Sequence, residues 1–376
     1  MLQSINKIKS IINNYCMGNI INIFHSKNLK KYWLNSSKVN FSKLLIYSMD
    51  KFLYSENYKY TSTLHKYFLI KHLKNIEKNG NVKNTKLFEF NNPNFHSDFN
   101  DSTIKNLITK NYKLKETYAD LFKIHPNIKL HESLKMNFIN YLLYEKIKKN
   151  KIYKNIDFLK NKYFIGTNKI YNLQNKIKIS QEKLRSLVEY ENISKLIKKD
   201  SINILEIGSG NGRICETILS CSKKKISKYI LVDIPPALTF AYNRLKKAFP
   251  EKKIFYGIEI DNKKEFDKLL CKYDIILIFP SQIRFVEQKS IELCMAIDCL
   301  HEMNRRTIKY YMNFINICSN ILYFKVHEYA HPPFSFNSLN VHTPKDYFIK
   351  NKWKIIFKKQ SLFPSNDFEC AYKLLK

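Results

Sequence analysis

The sequence predicts an α/β fold: an open sheet of about seven strands alternating with helices, preceded by a mainly α-helical N-terminal region. Three observations carry this. A short apolar run, Asn203 to Ile207, meets the turn Gly208-Ser209-Gly210-Asn211-Gly212, which holds three of the chain's 7 glycines. A second apolar run, Tyr229 to Val232, ends in Asp233, 21 residues after Gly212. From residue 201 onward, apolar runs of strand length alternate with segments of helical period.

The elements follow in order. Residues 1–75 carry apolar positions at helical spacing, such as Ile8, Ile11, Ile12 and Tyr15, then Leu45, Met49, Phe52 and Leu53. Residues 80–102 are rich in Asn, Ser and Asp and read as a loop. Residues 103–150 return to helix, broken at His125-Pro126. Phe164 to Asn168 reads as a turn, with a helix from Glu182 to Tyr190 behind Ser180 as its N-cap, and another from Glu191 to Lys199. The N-terminal region is therefore drawn as 1–195 and the α/β domain as 196–376.

Strand one is Ile202 to Ile207 and helix one Arg213 to Cys221. Strand two is Tyr229 to Asp233, and Pro235-Pro236 opens helix two, which runs to Phe249. Ile254 to Tyr256 is a short strand, and Asp274 to Phe279 is the better third main strand. Leu293 to Asp298 is the fourth, followed by a helix from Asn304 to Cys318. Ile321 to Val326 is the fifth, and Trp353 to Phe357 and Phe368 to Leu374 form a closing pair.

The glycine spacing narrows what the turn holds. Dinucleotide turns use G-x-G-x-x-G, whereas this chain has Glu206-x-Gly208-x-Gly210-x-Gly212. That form resembles the first motif of class I S-adenosylmethionine (SAM)-dependent methyltransferases. The resemblance implies a Rossmann-like sheet with SAM as cofactor. The loop would cradle the methionine part, and the acid ending strand two would take the ribose.

Composition sets the class of partner. The 376 residues suffice for a large core or two domains, and 44% hydrophobic content suits a folded protein. The 8 cysteines form no C-x-x-C pair and read as reduced thiols of a cytoplasmic protein. The N-terminus lacks the apolar core of a signal peptide, and no apolar run is long enough to span a membrane. A net charge of +33 suggests an anionic partner, with about +22 before residue 201 and about +11 after it. The lysines are scattered and accompany an excess of Asn, Ile, Tyr and Phe, which argues for a solvated basic surface rather than a nucleic-acid interface.

In an open α/β sheet the ligand lies beyond the carboxyl ends of the strands. That rule gives Glu206 and the glycines, Asp233 and Ile234, then Pro280, Ser281 and Gln282. It also gives Asp298, His301 and Glu302, and finally His327, Glu328 and His331. We assign Glu206, Gly208, Gly210, Gly212, Asp233, Ile234, Ser281 and Asp298 to the cofactor. A hydroxyl acceptor needs a base, and histidine suits that near neutral pH. His301 is the first candidate and Glu302 the second, while His327 and His331 could orient the substrate. Asp298 with Glu302 or Glu328 offers oxygen ligands, but their spacing is not diagnostic and no metal is assigned.

A narrower resemblance covers roughly residues 130–376. Leu205 to Gly212, Val232-Asp233-Ile234-Pro235-Pro236, Ala248-Phe249-Pro250 and Cys299-Leu300-His301-Glu302-Met303-Asn304 are similar to a bacterial family of sugar O-methyltransferases. The resemblance implies methylation of a sugar hydroxyl in a surface glycan or its precursor, and so a part in polysaccharide biosynthesis. The chain departs from that pattern at His301, where glutamine is expected, and at Arg213, where a small residue is commoner. The alternatives are an RNA methyltransferase using the basic surface, a methyltransferase of another small-molecule hydroxyl, and a non-catalytic scaffold. Against RNA, strand four ends Ile297-Asp298-Cys299-Leu300 rather than in a base-clamping N-P-P-Y motif.

Overall fold

The computed structural model describes residues 181–235, 237–258, 260–327, 347, 349–362 and 367–375. It also gives the backbone of 170–173 and 177–180, and positions 44, 48, 49, 51, 52, 143, 144, 146 and 147, all helical. The other expectations for residues 1–168, including the loop at 80–102 and the turn at Phe164, lie outside the described residues, as do Pro236, Glu328 and His331.

A hairpin of β1 (Ile170–Leu173) and β2 (Ile177–Ser180) leads into α1 (Gln181–Ser194). The α/β alternation then runs β3 (Ser201–Ile207), α2 (Arg213–Cys221), β4 (Lys225–Val232), α3 (Ala237–Ala248), β5 (Ile254–Tyr256), α4 (Lys263–Lys272) and β6 (Ile275–Ile278). It continues through β7 (Ile291–Ile297), α5 (Arg305–Cys318) and β8 (Ser319–His327), and closes with β9 (Trp353–Gln360) and β10 (Asp367–Leu374). The main sheet has the order β5-β6-β4-β3-β7-β8-β10-β9. Its first six strands are parallel, and β10 pairs antiparallel with both β8 and β9.

This is the Rossmann-like sheet the alternation predicts, with three differences. It has eight strands rather than seven, because Ile254–Tyr256 adds a parallel edge beside β6, while β6 itself lies against β4 as the third main strand. One helix spans Gln181–Ser194 where two were expected. Helix α4 was not foreseen, although the Asn262 side chain caps it by accepting from the Glu265 N–H at 2.9 Å.

The strands read as unbroken apolar runs because both faces are covered. Side chains alternate across the sheet. Ile204, Tyr229, Leu231, Ile275, Leu277, Leu293 and Met295 meet α1, α2 and α3 on one face. Leu205, Ile207, Ile230, Val232, Ile276, Ile278, Cys294 and Ala296 meet α4 and α5 on the other. Met49 and Phe52 join the first of these clusters, where Ser48 Oγ lies 2.9 Å from Thr239 Oγ1. The seven described cysteines are free thiols. No helix among the described residues is long and apolar enough to cross a membrane.

From β3 the chain steps outward to β4, passes to β5 at the edge, fills the place between them with β6, and then crosses to β7 on the other side of β3. The crevice at the carboxyl ends of β3 and β7 is thus the switch point of the sheet, where such folds take ligands.

Candidate active site

A cavity of about 220 Å³ opens at that switch point. Its lining includes Glu182 and Arg185 of α1, Glu206 of β3, and Gly208 to Asn211 of the turn. Asp233, Asp298, Cys299, Glu302 and Met303 also line it, with Arg213 at the start of α2 and the apolar Ile214, Ala237 and Ile297.

The turn needs its glycines, but each for its own reason. All three are left-handed, with φ of 66°, 56° and 77° at Gly208, Gly210 and Gly212. That region costs an L-residue roughly 1–2 kcal/mol. A Cβ on Gly208 would stand 2.3 Å from Cys299 Cβ, and one on Gly212 would stand 3.2 Å from Ala241 Cβ. A Cβ on Gly210 would meet nothing within 4 Å. Gly208 and Gly212 therefore let the protein pack on itself, while Gly210 presents bare backbone to open space. Gly212 does not line the cavity but stands as N-cap of α2.

Asp233 faces this backbone. Its Oδ2 accepts from the Gly210 N–H at 2.6 Å and its Oδ1 from the Ile234 N–H at 2.7 Å. Each oxygen keeps a lone pair for a further donor. Burial pushes its pKa up to about 6, against the pull of those two backbone donors. Beside it, Ser209 Oγ is buried and without a hydrogen-bond partner. Glu206 is 2% exposed and accepts from Tyr229 Oη at 2.6 Å. Burial pushes the Glu206 carboxyl up to about 8.

The opposite wall is a web of buried charge. Asp298 is left-handed at φ 55°, one of two described non-glycine residues with positive φ. Its Oδ2 accepts from Arg185 Nη2 at 2.5 Å and from Arg213 Nη2 at 3.1 Å, and Lys325 Nζ lies 3.6 Å from Oδ1. Burial alone would raise its pKa, but Lys325, Arg185 and Arg213 hold it well below the usual carboxylate range. Glu189 of α1 ties to the same cations, accepting from Lys325 Nζ at 2.9 Å and from Arg213. Arg213 Nη1 also donates to Ser186 Oγ at 3.0 Å. Next to this web, Arg244 bridges Glu182 at 2.7 Å and Glu216. So α1, drawn from sequence as part of the N-terminal region, forms one wall of the cavity and is clamped to the turn by ion pairs.

The candidate bases separate. Glu302 lines the cavity, and burial pushes its carboxyl up to about 8, helped by Asp298 and Asp233 and opposed by His327. His301 and His327 are not among the lining residues. The His301 ring stacks on that of His327, with centroids 4.0 Å apart and planes at 27°. His301 Nδ1 accepts from the His327 backbone N–H at 3.3 Å. Ile234 and Ser281 also lie outside the lining. Gln282 has a structural task, donating to the Gly257 and Ile260 carbonyls and accepting from the Phe279 N–H. Sequence reasoning missed Glu182, Arg185 and Glu189. The available signal was Lys325, a charge inside an apolar strand, which demands a buried counter-charge from elsewhere.

No family model matches the sequence, and no curated protein matches it. Among solved structures the chain is similar to PH0226 protein from Pyrococcus horikoshii OT3, at 14% identity over 52% of this chain and 92% of that one, with a TM-score of 0.35. It is similar to the methyltransferase domain of bacterial CtHen1-CN, at 12% identity over 51% and 100%, with a TM-score of 0.35. It is also similar to a SAM-dependent methyltransferase from Aquifex aeolicus, at 10% identity over 50% and 89%, with a TM-score of 0.31.

Proposed function

We propose that the chain binds SAM in the cavity between Gly210 and Asp298 and transfers its methyl group to a hydroxyl of a sugar in a surface glycan or its precursor. The observation that supports this most is the pairing of Gly210 with Asp233: bare backbone open to a ligand, with a carboxylate fixed beside it. The residues present fit the cofactor. Ser209 Oγ offers an unused buried hydroxyl, and Asp233 has lone pairs for two ribose hydroxyls. The group would supply a methyl carbon on an already activated sulfonium.

The chain's own residues would align and deprotonate. Asp233 and the Gly208–Gly212 turn set the donor's position, since in-line displacement gains most from orientation. Glu302 is better placed than His301 to take the hydroxyl proton, because it lines the cavity and burial pushes its carboxyl up to about 8. The sugar acceptor rests on the resemblance carried by Asp233-Ile234-Pro235-Pro236 and His301-Glu302-Met303-Asn304, and the cytoplasmic setting rests on the thiol usage. The charge of +33 keeps an RNA acceptor as the alternative.

Calorimetry with SAM tests the core of the reading. The wild-type protein is expected to bind, and Asp233→Ala to lose about tenfold or more in affinity, the worth of one charge-assisted hydrogen bond. Absence of binding to the wild type would sink it. Transfer of labelled methyl to bulk RNA but not to polysaccharide would move the acceptor to the alternative.

A further inference from the structure

The end of the sheet away from the cavity carries a surface that methyl transfer does not use. Among the described residues four large hydrophobic side chains are exposed, Ile317, Ile355, Ile356 and Leu375, each between 47% and 52%. They come from separate parts of the chain yet share one corner. Ile317 stands in the last turn of α5, and Asn316 beside it accepts from Lys352 Nζ at 2.7 Å and from Trp353 Nε1 at 2.5 Å. The Leu375 N–H donates to the Lys352 carbonyl at 2.8 Å. Ile355 lies two residues beyond Trp353, opposite Tyr372, and a slip in the ladder leaves Ile356 without a cross-strand partner. Strand β9 is the outermost of the sheet. Single exposed aliphatics are ordinary, whereas a corner that gathers all four is a candidate interaction surface. Lysines surround it: Lys350, Lys352, Lys354 and Lys373 are exposed, and the exposed Lys289 donates its N–H to the Ile317 carbonyl at 3.0 Å. No exposed acid answers them from α5, β8, β9 or β10, because the described acids between Arg305 and Leu375 are Asp367 and Glu369, each 2% exposed. Glu287 and Glu292 flank Lys289 in sequence, but Glu292 already accepts from Lys199 Nζ at 3.2 Å and from the Asn203 N–H at 2.8 Å.

We propose that this corner docks edge-on against an anionic lipid bilayer. The ammonium groups meet headgroup phosphates, and the aliphatic side chains between them enter the boundary of the acyl region. Two independent features, aliphatic exposure and unanswered positive charge, coincide here, and a bilayer satisfies both. Charge disfavours the other occupants. A second copy of the corner would bring the same lysines face to face. A covering segment from the first half of the chain would come from residues that carry about +22. A dissolved polyanion would suit the lysines but leave the aliphatic side chains in water. The corner lies by Ser319, the first residue of β8, whereas the cavity opens at the carboxyl ends of the strands. Contact with a bilayer therefore leaves the cavity open, and the inference does not depend on what the cavity binds.

Flotation of the full chain with vesicles tests this without SAM or acceptor, so it can fail independently of the methyltransferase reading. The wild type is expected to float with vesicles of equal parts phosphatidylcholine and phosphatidylglycerol, and not with phosphatidylcholine alone. Lys350→Gln, Lys354→Gln and Lys373→Gln together should weaken binding about a hundredfold, since each lysine at an anionic surface contributes roughly fivefold. Ile355→Ser with Ile356→Ser should weaken it about tenfold or more. Lys246→Gln, Lys247→Gln and Lys253→Gln remove the same charge from exposed positions of α3 and the approach to β5, and should leave binding nearly unchanged. All these side chains are exposed, and circular dichroism would verify that each variant folds. A wild type that stays off the anionic vesicles overturns the proposal. So do equal losses from the two lysine triples, or an isoleucine variant that binds like the wild type. A dimer in vesicle-free solution that the isoleucine variant dissociates would also overturn it, and would make the corner a contact between copies.

Discussion

The two walls of the cavity are built from different materials. The wall at β3 and β4 is backbone, with three left-handed glycines and N–H groups gathered by Asp233. The wall at β7 and β8 is side chain: Asp298 after β7, Arg185 and Glu189 of α1, Arg213 of α2 and Lys325 of β8, brought from four separate parts of the chain. A backbone wall is specified locally, since only glycine tolerates its angles and clearances. A wall of charges is specified by tertiary register, since each ion is tolerable only because another element delivers its partner.

This contrast orders the expected effects of mutation. The largest belongs to the charged wall. Arg213→Ala strips the turn of its ties to Glu189, Ser186 and Asp298 and should cost about 3–5 kcal/mol, as for other broken buried pairs. Chemical denaturation would measure it, and a loss under about 1 kcal/mol would mean that the web is slack. On the backbone wall, Gly208→Ala adds left-handed strain to a collision with Cys299 and should cost about 3 kcal/mol.

The third effect is on binding. With burial pushing the Asp233 carboxyl up to about 6, SAM affinity should be flat above that pH and fall about tenfold per unit below it, because hydroxyl donors need the ionised carboxylate. The sign for folding is the reverse. A carboxyl whose folded pKa is raised favours the folded state at low pH, and that contribution fades as pH climbs from its unfolded value towards 6. Calorimetry at pH 5 and 7.5 would decide, and equal affinities would remove Asp233 from the contact.

The smallest effect on stability should come from Gly210→Ala, about 1 kcal/mol, because only the φ is strained and the space is open. Its effect on SAM binding should exceed that of its neighbours per unit of stability lost. If Gly210→Ala were as destabilising as Gly208→Ala, the distinction between packing glycine and ligand-facing glycine would fail.

The same contrast explains what could be read from the chain. The backbone wall was legible: Glu206, Gly208, Gly210 and Asp233 all line the cavity. So were β3, α2, β4 and α5, whose apolar periods are strong. Helix α4 was missed because Phe266 is its one fully buried side chain, and a single apolar anchor gives no periodic signal. Helix α1 was recognised as a helix but not as a wall. Glu182, Lys183, Arg185 and Glu189 look like a solvated face, yet each is at most 4% exposed. Their partners Glu216, Arg244, Asp298 and Lys325 lie far away in sequence. Which of His301 and Glu302 lines the cavity depends on the way a three-residue turn directs its side chains, and that is invisible without coordinates.

The clamping of α1 sets a limit on how the α/β half can be isolated. A fragment starting at Ser201 would keep every strand of the main sheet, yet Arg213, Arg244 and Lys325 would lose Glu189 and Glu182 and face water or one another across an apolar groove. Any shortened version meant for crystallisation or enzymology should therefore begin upstream of Gln181, and a protease site engineered between 195 and 200 would be a direct way to ask whether the two pieces stay together once the peptide link is cut.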